Sequence, residues 1–223
     1  MEAYGRLDHD SFDGIVGELL YQMGSSDVLV VALCGRGQSP ARLLSHLKSS
    51  IECRPSFLVL APSREWYPRP VSPADQEEAL AGSQASALKI SHSLATLAAK
   101  GRVRLDRTVL FGHSAGAVLA LSIATQVSDR YLGVVAHKGC LLDPRRVIRS
   151  CNSSPILMVN SRDDEVFNFG ARVQPTSLAL MRGNFRLTNV EFPDGGHEFG
   201  DEGLRIANEF IALNLRESTC MLL

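Results

Sequence analysis

The sequence predicts an α/β fold built on a mostly parallel sheet of about six strands, with helices on both faces. Three observations carry this: short apolar and β-branched runs recur along the chain, helical patterns separate them, and most runs are apolar throughout rather than alternating. A strand that is apolar on both sides needs both faces covered, as in a parallel sheet between two helical layers. Right-handed crossovers then gather the strand C-termini on one side, where sites in open α/β sheets form.

The elements follow in order. Residues 1–26 carry Phe12, Ile15, Leu19 and Leu20 at helical spacing and are expected to form a helical extension. The clearest buried strand is 28–33 (VLVVAL); 56–61 (SFLVLA), 108–112 (TVLFG), 132–136 (LGVVA) and 155–160 (PILMVN) are four more. Residues 186–192 (RLTNVEF) alternate and suit an edge strand. Ser72, Pro73 and Asp75 read as an N-cap, a first-turn proline and an acid at the positive end of a helix dipole. Leu80, Ala87, Ile90, Leu94 and Leu97 then mark its buried stripe, and Gly101 ends it. Residues 115–125 are small and apolar all round, as for a helix pressed onto a sheet, and 204–215 form a closing amphipathic helix before a flexible tail at 216–223. Neither repeat nor linker interrupts the chain, and the space between Leu132 and Asn160 is too short for a cap domain, so 1–223 reads as one domain.

Composition narrows the function classes. The 223 residues are 45% hydrophobic and 21% charged, enough to bury a full core. Lys and Arg number 23 against 24 Asp and Glu, and this balance lacks the concentrated basic surface that nucleic acid requires. The longest apolar run, 28–34, is too short to span a bilayer, and the N-terminus has no secretory pattern, so a cytoplasmic location is expected. Five cysteines (Cys34, Cys53, Cys140, Cys151 and Cys220) form no CxxC and no paired spacing, which fits reduced thiols without disulfide or zinc site. Cys220-Met221-Leu222-Leu223 has the form of a prenylation signal, but no basic stretch precedes it and a single lipid anchors only marginally.

The sharpest motif is Gly112-His113-Ser114-Ala115-Gly116, directly after a strand and directly before a helix. A G-x-S-x-G in that setting sets a serine on a tight, strained turn above the sheet edge, where a Cβ at either glycine would strike neighbouring backbone. The turn also aims the first helical N–H groups at the site. A serine hydroxyl needs a base, and the base an acid, each after a later strand. Asp163 and Asp164 follow the strand at 155–160, and His197 follows 186–192 in Asp194-Gly195-Gly196-His197. The order Ser, Asp, His is the one this topology expects. Between the two aspartates the residues themselves leave the choice open. His9, His46, His92, His113 and His137 fit the base role less well, by helical setting, by the variable motif position or by chain order.

These motifs resemble the phospholipase/carboxylesterase family of α/β-hydrolases, which includes acyl-protein thioesterases and small bacterial carboxylesterases. Cys34-Gly35-Arg36-Gly37 is similar to the family's His-Gly-x-Gly loop, with Cys34 in place of histidine; Ala61-Pro62 and Trp66-Tyr67-Pro68 resemble its second-strand exit and aromatic loop. Leu105-Asp106, the Gly112–Gly116 motif and Gly195-Gly196-His197-Glu198 match as well. The resemblance implies an α/β-hydrolase fold and favours Asp163 as the acid, because Asn160 and Val166 frame it at the family's spacing. It also implies an oxyanion hole from the backbone N–H groups of Arg36 and Ala115, and Trp66 and Tyr67 beside the substrate.

The expected activity is therefore hydrolysis of carboxylic esters or thioesters by Ser114, His197 and Asp163 through an acyl-enzyme, with no metal and no cofactor. The partner is a small or acylated substrate, not nucleic acid; a membrane enters only if Cys220 is prenylated, and the chain is a monomer or homodimer. The competing readings are a binding protein on the same fold with little turnover, and a peptidase or lipase.

Overall fold

The computed structural model describes residues 12, 14, 16–69, 75–147 and 154–220, with backbone alone at 219 and 220. Among them, seven strands form one sheet: β1 (Val16–Gln22), β2 (Leu29–Leu33), β3 (Ser56–Pro62), β4 (Thr108–His113), β5 (Gly133–His137), β6 (Ile156–Ser161) and β7 (Leu187–Phe192). Their order is β1-β3-β2-β4-β5-β6-β7, parallel at every pairing except β1 with β3. The helices are α1 (Pro40–Ser50), α2 (Asp75–Ala99), α3 (Ala115–Gln126), α4 (Gln174–Arg182) and α5 (Asp201–Cys220).

The continuous apolar strands do what their pattern requires, because alternate residues feed two separate cores. Leu29, Val31, Leu33, Leu110, Val134 and Met158 pack with α2, α3 and α4 on one face. Val30, Ala32, Val109, Phe111, Val135 and Leu157 pack with Leu43 and Leu47 of α1 and Leu204, Ala207 and Phe210 of α5 on the other. The α2 stripe is buried as expected, and beyond Ala99 the Arg102 N–H returns to the Leu97 carbonyl at 2.9 Å to close the helix. Residues 115–124 of α3 are all buried, which explains a helix with no polar face. The edge position expected for 186–192 is that of β7.

Two expectations need correction. The segment read as an N-terminal helix contains β1, which brings the sheet to seven strands among the described residues. Its Leu19 packs toward one core and Leu20 toward the other, a period of two. Of the four apolar residues only Leu19 and Leu20 lie in β1, and the outer edge of β3 decides by offering ladder partners from Phe57 to Pro62. The tail expected from 216 is the last turn of α5, where Glu217 pairs with Arg186 at 2.8 Å and Ser218 accepts from Arg107 at 3.2 Å. Neither α1 nor α4 stands out in the sequence as a separate element; α1 starts at Ser39, whose hydroxyl accepts from the Arg42 N–H, followed by Pro40. The Ser72-Pro73 cap and Met221 to Leu223 of the lipidation pattern lie outside the described residues. No described helix is long and apolar enough to cross a membrane.

Register positions the site. Leu33 pairs with Gly112, His113 with His137, and Ser161 with Phe192, so the loops leaving β2, β4, β5, β6 and β7 open on one edge. Those loops carry Arg36, Ser114, Lys138, Asp164 and His197.

Candidate active site

The turn between β4 and α3 holds Ser114 at φ 55° and ψ −117°, left of where an L-residue rests without strain. The crowding that the glycines anticipate is present: a Cβ on Gly112 would overlap the Gly116 carbonyl, and one on Gly116 would overlap the Leu33 carbonyl. The Ser114 N–H donates to the His137 carbonyl at 3.0 Å, while its own carbonyl accepts from Ala117 and Val118. The backbone is thus held from both sides, and the hydroxyl projects above the sheet edge.

His197, from the loop after β7, lies against Ser114 with Nε2 2.7 Å from Oγ. Its Nδ1 is 2.9 Å from Oδ2 of Asp164. An ionised carboxylate only accepts, so Nδ1 carries the proton and Nε2 is left to accept from the serine hydroxyl. The aspartate that meets the imidazole is Asp164 and not Asp163, which corrects the choice made from the family spacing. Asp163 points outward, is exposed, and accepts from the Gly196 N–H at 2.9 Å. Asp164 turns inward, where its Oδ1 accepts from the Val166 and Phe167 N–H groups at 2.8 and 2.9 Å. Burial alone would raise its carboxyl, but the hydrogen bonds from His197, Phe167 and Val166 outweigh that and hold it below the usual value. The two aspartates sit on one tight turn, so successive side chains leave on opposite sides, and only tertiary packing shows which side is inside.

The loop after β2 reaches the serine as expected. A Cβ on Gly35 would stand 3.1 Å from that of Ser114, so its backbone runs directly beside the nucleophile. The Gly35 N–H is taken by Gln38 at 2.8 Å, whereas the amides of Arg36 and Ala115 donate to no described group. Trp66 and Tyr67 separate in role. Trp66 is buried, donates from Nε1 to the Cys34 carbonyl at 2.7 Å, and lies outside the cavity at Ser114, so the expectation that it lines the substrate is corrected. It braces the Gly35-Arg36 loop instead. Tyr67 does line that cavity, a cleft of about 360 Å³ shared with Arg36, Arg69, Leu142, Val166, Phe167 and Arg172. A second cleft, of about 450 Å³, lies at the opposite ends of the strands around Arg107 and Tyr131 and holds none of these groups.

Behind the imidazole sit groups whose role no sequence motif marks. His113 and His137 face each other with their Nδ1 atoms 3.1 Å apart, one donating and one accepting. Burial, then the neighbouring His197, pushes His113 down to about 3, and burial lowers the fully enclosed His137 as well. Phe199 packs edge-on against His113 at 4.9 Å. Lys138 follows β5 in a left-handed conformation (φ 54°), and its Nζ donates to Ser161 Oγ and, at 2.9 Å, to the carbonyl of Gly196 next to His197. A lone lysine at the C-terminal end of an apolar strand is the sequence signal that marks it. Burial makes Cys34 and Cys140 inert thiols, raising both to about 12. Among the described residues no cluster of metal-ligating side chains occurs.

A seven-stranded, mostly parallel sheet between two helical layers, with a serine on the β4–α3 turn and its partners on later loops, defines an α/β-hydrolase fold. The phospholipase/carboxylesterase family profile matches residues 56–215. The chain belongs to that family. Its fold is similar to a carboxylesterase from Bacillus cereus (17% identity, 91% of this chain and 96% of the other, TM-score 0.75). It is also similar to a phospholipase/carboxylesterase from Dyadobacter fermentans (19%, 89% and 97%, TM-score 0.71) and to acyl-protein thioesterase 2 of Zea mays (19%, 89% and 99%, TM-score 0.71). No curated protein matches the chain.

Proposed function

We propose that the protein hydrolyses carboxylic esters or thioesters through an acyl-enzyme, with Ser114 as nucleophile, His197 as base and Asp164 as the acid that orients it. The observation that carries this is the unbroken relay from Asp164 to His197 (2.9 Å) to Ser114 (2.7 Å), with the serine on a strained turn. Ser114 Oγ attacks the acyl carbonyl as its proton passes to His197 Nε2. Asp164 keeps the proton on Nδ1 and stabilises the imidazolium that forms. The amides of Arg36 and Ala115 take the oxyanion, a task for preorganised N–H groups that are not spent elsewhere. His197 then protonates the leaving alkoxide or thiolate, and water, activated by the same imidazole, releases the acid. No step calls for a metal or cofactor. Tyr67 forms part of the substrate wall. The small, open cleft suits a short or surface-presented acyl group better than one engulfed whole.

The test is hydrolysis of 4-nitrophenyl esters from acetate to palmitate by the wild type and by Ser114→Ala. Turnover by the wild type and a loss of at least about 10⁴-fold in the variant are expected. Undiminished turnover in Ser114→Ala would overturn the reading.

A further inference from the structure

The cleft at Ser114 is more cationic than ester hydrolysis requires. Three arginines, Arg36, Arg69 and Arg172, line it, and among the described residues no carboxylate does. Asp164 lies behind His197 with its oxygens taken by the imidazole and by two amides. The three arginines differ in how far they are committed. Arg36 pairs with Glu65 at 2.5 Å, donates to the Tyr67 carbonyl at 3.3 Å and lies 5.9 Å over the Tyr67 ring, so its charge is answered and its position fixed. The side chains of Arg69 and Arg172 make no hydrogen bond or ion pair with any described group.

Arg172 is also well placed. It sits in the π-helical turn Phe169–Val173, whose start is held by the Asn168 side chain accepting from Ala171, and its own carbonyl accepts from Thr176 at 2.9 Å. It is half-buried, and its charge reaches the enclosed Tyr67 hydroxyl and Cys140 thiol, opposing the rise that burial imposes on both. Its guanidinium therefore acts inward, across a cleft whose other walls are Tyr67, Leu142, Val166 and Phe167. Low-dielectric walls strengthen the pull of an unanswered cation, and a guanidinium offers a planar fork matched to carboxylate or phosphate oxygens.

We propose that the substrate carries an anionic group, a carboxylate or a phosphate, close to the scissile carbonyl, and that Arg172 and Arg69 bind it. This rests on the serine-hydrolase reading for the reaction. The chemistry is unchanged: water cleaves the acyl C–O or C–S bond, and the anion only positions the carbonyl over Ser114.

Two readouts test it, one independent of turnover. In the first, kcat/KM is compared for matched pairs: mono-(4-nitrophenyl) glutarate against 4-nitrophenyl pentanoate, and S-acetyl-3-mercaptopropionate against S-butyl thioacetate. The pairs separate an anion on the acyl side from one on the leaving side. A preference of tenfold or more for the anionic member of at least one pair is expected at low salt, shrinking as salt rises and collapsing toward one in Arg69→Gln/Arg172→Gln. In the second, glutarate and phenyl phosphate are titrated into Ser114→Ala by calorimetry, with and without the arginine substitutions. Binding of either, weakened tenfold or more by the substitutions, supports the proposal and tells carboxylate from phosphate. No binding of either probe and no preference in either pair overturns it, as does a preference that survives the double substitution. Anion binding in a protein that turns over none of the four substrates would instead sink the hydrolase reading and leave the anion site standing.

Discussion

Replacing Asp164 by asparagine separates the two acidic candidates, because it changes one proton and almost no shape. The amide oxygen can keep accepting from Val166 and Phe167, which hold Oδ1 at 2.8 and 2.9 Å. The NH₂ group then occupies the place of Oδ2, 2.9 Å from His197 Nδ1. Two donors cannot face each other, so Nδ1 gives up its proton to become the acceptor, and Nε2 takes it. Nε2–H now meets Ser114 Oγ across 2.7 Å, and the serine has lost its base. The same tautomer inversion in a serine triad lowers kcat about 10⁴-fold, or about 5.4 kcal/mol of transition-state stabilisation. Asp163→Asn alters an exposed side chain whose contact is an accepted hydrogen bond from Gly196, and its amide oxygen accepts as well. That change is expected to stay within about threefold, the scale of surface substitutions. The assay is steady-state 4-nitrophenyl ester hydrolysis by both variants, with circular dichroism to verify folding. A loss of 10³-fold or more in Asp163→Asn beside near-normal Asp164→Asn would refute the assignment.

Two further predictions follow from the groups behind the imidazole. His113 is held down to about 3 in the folded chain against 6.5 unfolded, so it stays neutral while the unfolded chain takes up protons below 6.5. Its stabilising contribution is full above 6.5 and shrinks as pH falls toward 3, by about 2 kcal/mol at pH 5, and His137 acts in the same direction. Urea unfolding at pH 7.5 and 5.0 measures this; equal stabilities at the two values would show that the pair is not held neutral. Lys138→Met removes the donor to Ser161 and to the part-buried Gly196 carbonyl, at a cost of about 2 kcal/mol. It should also loosen the His197 loop, so kcat is expected to fall about tenfold while KM changes little. A variant with wild-type kcat would show that Lys138 supports the fold without positioning the base.

Much of this protein was legible from one dimension. The buried strands were readable because a strand covered on both faces must be apolar at every position, and the serine turn because Gly112 and Gly116 are required at that spacing by backbone crowding alone. The placement of His197 followed from chain order and topology. These features depend on local sterics and on covering a sheet, which neighbours along the chain already express.

What only the tertiary structure decided are choices between sequence-equivalent options. Leu19 and Leu20 fit a helix or a strand until the open edge of β3 supplies ladder partners for Val16–Gln22. Asp163 and Asp164 are chemically identical neighbours, and only the packing of the β6 exit turn sends one outward to water and the other inward to the imidazole. Trp66 resembles a substrate wall in sequence, yet the Cys34 carbonyl captures its indole N–H. The neutral His113–His137 pair joins residues on two adjacent strands, and Lys138 reaches from β5 to the loop after β7. Such contacts depend on which side of a turn is buried and on which strands lie side by side, and neither is written in the local pattern of residues that makes the strands and helices themselves.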